Sequence, residues 1–200
     1  MLSPEIEAKL AELDAQEVPG WFTPAEGRAC VERIMGLSEP FPRGMEIGAF
    51  CGRSTRYVAL AMQARKGKWH TVDHFQGSIE HRPLPFRLRP VFEEMLTQAG
   101  LRDEVTLWHG SSAEAWECMP AWYREQKPLS FLLVDGSHDT DSCYFDLSHW
   151  GALVPPGGIV AVHDRTFNTV RRAMENFFDE FHWLTLPPVD NLAFLRRVAA

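Results

Sequence analysis

Four short apolar runs in this chain stop at polar residues or a tight glycine turn. They are Met45-Glu-Ile-Gly48, Trp69-His-Thr-Val-Asp73, Phe131-Leu-Leu-Val-Asp135 and Gly158-Ile-Val-Ala-Val-His163-Asp164. Between them lie stretches whose apolar residues recur at helical spacing. Strands that alternate with helices in this way lie parallel, because each helix carries the chain back before the next strand, and a sheet covered by helices on both faces follows. The pattern predicts strands at 44–48, 69–73, 104–108, 130–135 and 158–163, and helices at 54–65, 86–99, 112–118, 141–152 and 167–180. Trp183-Leu-Thr-Leu186 and Leu192-Ala-Phe-Leu195 form a closing pair around Pro187-Pro188.

Two segments precede this alternation. Ser3-Pro4-Glu5 starts an amphipathic lead-in helix through Ile6, Leu10 and Leu13, which ends at Val18-Pro19-Gly20. That helix packs on the domain, or serves as a lid or a homodimer contact. Thr23-Pro24-Ala25-Glu26 is a capping box with proline at the first helical position, opening a helix to about Met35. We therefore expect a lead-in over 1–22 and one α/β domain over 23–200, a size within the range of a single sheet.

Composition narrows the function classes. A net charge of -7 disfavours a broad nucleic-acid surface, which needs clustered Lys and Arg. No apolar run is long enough to span a membrane. Cys30, Cys51, Cys118 and Cys143 are scattered without CxxC spacing and read as free thiols. The start of the sequence lacks the basic-then-apolar order of a signal peptide, so a cytoplasmic protein is expected.

The loop after the first strand is the clearest candidate for ligand binding. Gly48 lets the backbone turn beside a ligand, Gly52 removes a side chain where the ligand lies, Ser54 stands at the next helix start, and Glu46 adds an acceptor. The segment has neither the Lys-Ser/Thr of a P-loop nor the three glycines of the dinucleotide fingerprint, so a nucleoside cofactor without pyrophosphate fits better. In open parallel sheets ligands gather beyond the carboxyl ends of strands. Asp73 there binds both ribose hydroxyls or caps a loop. His74 follows it, with Phe75 available to a nucleobase or to the core. Ser111 and Ser112, after the third strand, bond an adenine edge or cap the next helix. Asp139 and Asp141 read as helix caps. His81, Arg82, Arg87 and Arg89 are solvated charges or recognise an anionic acceptor.

The combination Glu46-x-Gly48-x-x-x-Gly52-x-Ser54, Asp135-Gly-Ser-His138 and Gly157-Gly158-Ile-Val-Ala-Val-His163-Asp164 resembles the class I S-adenosylmethionine-dependent methyltransferases. Within them it is similar to the branch, called methyltransferase family 24, that includes metal-dependent O-methyltransferases. The resemblance spans roughly residues 24–197 and implies a Rossmann-like, doubly wound, seven-stranded sheet, mostly parallel with a reversed last strand. It implies that Gly48, Asp73 and Asp135 edge one crevice with Asp164, and that S-adenosyl-L-methionine is the cofactor. Adjacent carboxylates repel unless a proton or cation lies between them, so Asp135 and Asp164 are expected to hold Mg²⁺ or another divalent ion. His163 completes that site or faces the other way. His138 is the expected general base toward a small-molecule hydroxyl. Ser137 stands where an acid is frequent in the family. A noncatalytic cofactor-binding protein and an NAD-dependent oxidoreductase are the competing readings.

Overall fold

A computed structural model describes residues 1–78, 84, 86–126, 128–178 and 182–199. Seven strands form one sheet in the order β3-β2-β1-β4-β5-β7-β6. These are β1 (Arg43–Ile47), β2 (Lys68–Asp73), β3 (Val105–His109), β4 (Phe131–Val134), β5 (Ile159–Val162), β6 (Trp183–Val189) and β7 (Leu192–Arg197). The first five run parallel, and β7 is antiparallel to both β5 and β6. β7 is thus the one reversed strand, as the resemblance implies. Pro187 and Pro188 lie inside β6, not between two shorter strands. A register shift falls between Leu186 and Val189, and β6 is at the sheet edge, where a missing N–H is tolerated.

Two layers of helix cover the sheet. One face carries α1 (Pro4–Asp14), α2 (Pro24–Met35), α3 (Arg53–Ala64) and α4 (Leu88–Gln98) over a core that includes Trp69, Phe92 and Phe131. The other carries α5 (Ser112–Cys118), α7 (Thr140–Gly151) and α8 (Asn168–Phe178) around Leu147, Trp150 and Phe177. A one-turn 3-10 segment, Arg102–Glu104, and the short helix α6 (Ala121–Glu125) are additions that the periodicity did not reveal, being too short to show a period.

The helix starts follow local chemistry. Thr23 forms the expected reciprocal capping box with Glu26, and Ser111 forms a second with Glu114. Asp139 accepts from Ser142 N at 2.9 Å and caps α7. The lead-in helix buries Ile6, Leu10 and Leu13 in the α2/α3 core, each contributing about 1.5–3 kcal/mol. Its end is tied down by Tyr57 Oη, which donates to Asp14 at 2.6 Å. The chain then crosses the carboxyl edge of the sheet through residues 19–22. Among the described residues no helix is long and apolar enough to cross a membrane.

Candidate active site

The carboxyl ends of β1 to β5 open into one cleft of about 960 Å³, within the range of small-ligand sites. Its geometry begins at the loop after β1. Gly48 has φ +85°, and a Cβ there would run into the carbonyl of Asp135, so the loop and the end of β4 are held against each other by backbone contact. Phe50, a non-glycine residue, also sits at positive φ, at 48°. The fold holds that conformation with Asp73, whose Oδ2 accepts from Ala49 N at 2.7 Å and Phe50 N at 2.9 Å. Its Oδ1 accepts from Phe75 N at 2.5 Å. Asp73 is therefore a loop clamp as well as a cleft residue: Oδ2 is taken up by two backbone donors, and Oδ1, with one, retains a lone pair for a ligand hydroxyl.

Two members of the expected cofactor set lie differently. Glu46 is fully buried under the loop, not in the cleft, and accepts from Ser54 Oγ at 2.5 Å, Thr55 Oγ1 at 2.6 Å and Thr71 Oγ1 at 3.2 Å. It braces the start of α3 from below, because the alternation of β1 turns its side chain into the α3 layer. Gly52, at φ +81°, has its missing side chain directed at Phe92, 3.1 Å from where a Cβ would lie. Its glycine requirement thus comes from backbone conformation and packing rather than from a ligand. Ser54 reaches the cleft wall while bonded to Glu46, and His74, Ser111 and Ser112 also line the cleft. Cys51 is buried with Val18 and Leu88 at its inner wall.

Burial pushes Glu46 up to about 8, although the Ser54 and Thr55 hydroxyls donate to it. An unfolded glutamate titrates near 4.3. Between those values the folded chain keeps a proton that the unfolded chain releases, so stability from this group is complete below about 4.3 and is lost as pH rises through about 8. We expect the urea midpoint of Glu46→Gln to fall less between pH 5 and pH 8 than that of the parent chain. Parallel pH profiles would show that Glu46 does not titrate as its burial requires.

The end of β5 gathers the remaining chemistry. His163 is buried and faces the site: its Nδ1 lies 2.9 Å from Asp135 Oδ1 and 3.2 Å from Asp164 Oδ2. On the other side Nε2 is 3.4 Å from Oε2 of Glu26, itself fully buried at the start of α2. Burial alone would favour the neutral ring, but Asp135, Asp164 and Glu26 outweigh it and hold His163 up to about 12. A protonated His163 thus separates the two aspartates, the role expected of a cation. Burial raises Asp135 despite His163, whereas for Asp164 hydrogen bonds from His138 and His163 overcome burial and keep its carboxyl far below the usual range.

Asp164 is held in the left-handed region, at φ 56°. Asn191, from the turn between β6 and β7, donates to its Oδ1 at 2.7 Å. Its Oδ2 lies 2.8 Å from His138 Nε2, and the His138 ring stacks on Phe167 with centroids 5.0 Å apart. Asp135, His163 and Asp164 offer ligand atoms that all fall within 4.8 Å of one another. The two nitrogen-to-oxygen spacings match the roughly 3.0 Å edge of an octahedron around an ion with bonds of about 2.1 Å, so the donor set fits a divalent cation. Glu26, 3.4 Å behind His163 Nε2, stands where a carboxylate commonly orients a metal-bound imidazole. An entering ion would displace the imidazole proton.

Sequence reasoning did not find Glu26, Asn191 or Phe167, whereas Trp21 and Phe22, readable from the sequence as a staple or part of a pocket wall, do line the cleft. Glu26 carries only a capping signature, and Asn191 reaches the site across 27 residues of chain from Asp164. Arg87 precedes α4, and Arg89 contacts Glu93 and His109 at 3.1 Å each. Neither Arg87 nor Arg89 lines the cleft. His81 and Arg82 lie outside the described residues.

Comparison with known proteins agrees with this architecture. A family model described as a methyltransferase domain matches residues 45–165, the span from β1 through the Asp164 turn. Among solved structures, cofactor-bound Rv0187 from MTB superposes with a TM-score of 0.68 at 18% identity, covering 100% of this chain and 92% of that one. The O-methyltransferase TomG from Streptomyces achromogenes, involved in tomaymycin synthesis and solved with SAM, gives 0.65 at 14%, covering 100% and 92%. The O-methyltransferase from Bacillus cereus, in complex with SAH, gives 0.61 at 17%, covering 98% and 92%. At these identities the superpositions establish the fold, while the family match extends over more than half of the sequence. With its five parallel strands, single reversed strand and glycine loop facing two aspartates, the chain belongs to the methyltransferase domain family and has the class I S-adenosylmethionine-dependent fold.

Proposed function

We propose that this chain transfers the methyl group of S-adenosylmethionine to a hydroxyl of a small-molecule acceptor, with His138 as general base and a divalent cation held by Asp135, Asp164 and His163. The observation that carries this reading is the 2.8 Å approach of His138 Nε2 to Asp164 Oδ2, in the cleft whose other wall is the glycine loop. The cofactor supplies an electrophilic sulfonium methyl. Gly48 and Ala49 give it a backbone floor, Asp73 accepts from the ribose, and Ser111 and Ser112 flank the base. With Nε2–H directed to Asp164, His138 takes the acceptor proton on Nδ1, and Asp164 stabilises the resulting imidazolium. A divalent cation would add positive charge beside the acceptor hydroxyl and ease its deprotonation. The two carboxylates suit Mg²⁺, and the imidazole nitrogen shifts preference toward Mn²⁺.

In this reading residues 23–200 form the catalytic domain, and the lead-in over 1–22 supplies the acceptor-side wall through Trp21 and Phe22. Arg53, from the glycine-loop helix, fastens that wall by donating to Gly20 O at 2.7 Å. The SAH and SAM complexes of the two O-methyltransferases with this fold support the cofactor and the accepting atom. The free cysteines suit a reducing compartment, consistent with the cytoplasm.

Calorimetric titration with S-adenosylhomocysteine, with NAD as control and with Mg²⁺ or Mn²⁺ present or absent, tests the reading. Binding of the thioether alone, strengthened by metal in the parent chain and not in Asp164→Asn, is expected. Binding of NAD, or of neither ligand, would overturn it; thioether binding indifferent to metal would remove the cation.

A further inference from the structure

The side chain that reaches Asp164 from the last hairpin has no part in the chemistry above. Asn191 sits in the turn between β6 and β7, and its backbone is pinned from two sides. Asn191 N donates to Glu26 Oε1 at 2.9 Å, and Arg165 N donates to Asn191 O at 3.2 Å. Asp190 beside it, at φ 46°, accepts on Oδ2 from Thr23 Oγ1 at 2.7 Å. The turn is thus seated between the start of α2 and the end of β5, where Asn191 lines the cleft.

In that seat the amide has one orientation. Thr166 N and Thr166 Oγ1 both donate to Asn191 Oδ1, at 3.1 Å and 2.8 Å. An amide nitrogen donates and does not accept, so these two donors fix the oxygen end and turn Nδ2 toward Asp164. Nδ2 donates to Asp164 Oδ1 at 2.7 Å. The other oxygen, Oδ2, is the one that meets His138 Nε2 at 2.8 Å and His163 Nδ1 at 3.2 Å. The two oxygens of Asp164 therefore have separate partners: Oδ1 answers to the hairpin, and Oδ2 faces the two histidines. Turning the carboxylate to offer both oxygens to one ion would draw Oδ1 away from its donor, and the Thr166 bonds keep that donor from following.

We infer that Asn191 is a positioning residue that leaves Oδ2 as the oxygen Asp164 offers to a cation, and so makes the site selective for small octahedral ions over Ca²⁺; this rests on the cation part of the proposed function. Ca²⁺ gathers about six to eight oxygens at longer distances and often takes both oxygens of a carboxylate, whereas Mg²⁺ keeps a compact octahedral shell served by single oxygens. Mn²⁺ accepts the same octahedral shell and tolerates an imidazole in it. A carboxylate held at one end by Asn191 suits the second kind of ion and withholds from Ca²⁺ the second oxygen it would use.

The test is calorimetric titration of the parent chain, Asn191→Ala and Asn191→Asp with Mn²⁺ and with Ca²⁺, each alone and without cofactor. Asn191→Asp matches the parent side chain in size and can still accept from Thr166, but it has no N–H for Asp164. The parent chain is expected to prefer Mn²⁺, and both variants to lower the Mn²⁺-to-Ca²⁺ affinity ratio by about 10-fold or more, because loss of a partner behind a ligand commonly costs about 10- to 100-fold in affinity for the ion the site is shaped for. The ratio is taken within each protein, so the added charge of the aspartate, or a general loss of stability, acts on both ions alike. Variants that keep the parent ratio would overturn the inference. A parent chain that binds Ca²⁺ as tightly as Mn²⁺ would overturn it whether or not either variant folds. A parent chain that binds neither ion would overturn the cation reading and this inference with it, and only that outcome touches the cation reading.

Discussion

His138→Ala is expected to lower methyl transfer by about 10²- to 10⁴-fold while leaving the affinity for S-adenosylhomocysteine within a few-fold. General-base catalysis by a positioned side chain contributes about that much. The cofactor side of the cleft does not depend on this ring: the loop is held by Asp73 through Ala49 N and Phe50 N, and by Glu46 from below. His138 instead leans on Phe167 and Asp164, at the far side of the β4 end. Single-turnover rates at saturating acceptor, alongside calorimetry of the thioether, separate the two effects. Full activity in the alanine variant would show that the proton leaves by another route, and an equal loss of cofactor affinity would make the residue part of the binding surface.

Gly48→Ala should be the most damaging single-methyl change in the site. The substitution forces an L-residue to φ +85° and drives its Cβ into the Asp135 carbonyl. Neither neighbour can give way easily, because Gly48 N donates to Val72 O at 2.9 Å and Asp135 N donates to Ile47 O at 2.8 Å. We expect a loss of about 3 kcal/mol or more in urea denaturation, the size associated with backbone strain combined with overpacking, together with loss of thioether binding. A variant within about 0.5 kcal/mol of the parent would mean that the loop relaxes and that its conformation is not fixed by the β4 contact. Gly52→Ala makes a useful comparison, since it shares the positive φ, at +81°, but its Cβ would meet the Phe92 ring at 3.1 Å rather than backbone at 2.1 Å.

The contrast between the two glycines shows how far the sequence could be read. Both were legible as positions that need glycine and both take positive φ, but their neighbours differ: Gly48 lies against the backbone at the end of β4, and Gly52 against a ring on α4. Glu46 was legible as important through its place before the loop, yet strand alternation sends its carboxylate into the α3 layer. Ser111 offered a cap or an adenine contact; the structure has it capping α5 at the cleft wall. His163 could face either way along its strand, and the fold turns it inward between Asp135, Asp164 and Glu26.

The sequence by itself determined the alternation of strands and helices, the ends at which polar residues accumulate, and the capping of α2, because these depend on residues a few positions apart and on the two- and 3.6-residue periods. The tertiary structure alone decided which of those ends meet. Glu26 reaches His163 from the start of α2, and Asn191 reaches Asp164 from the last hairpin. Asp146 comes to Ser112 from the helix after β4. No local pattern encodes such meetings. They arise when packing the two helical layers onto the sheet places distant elements against one edge, and burial there fixes which side chains carry a charge.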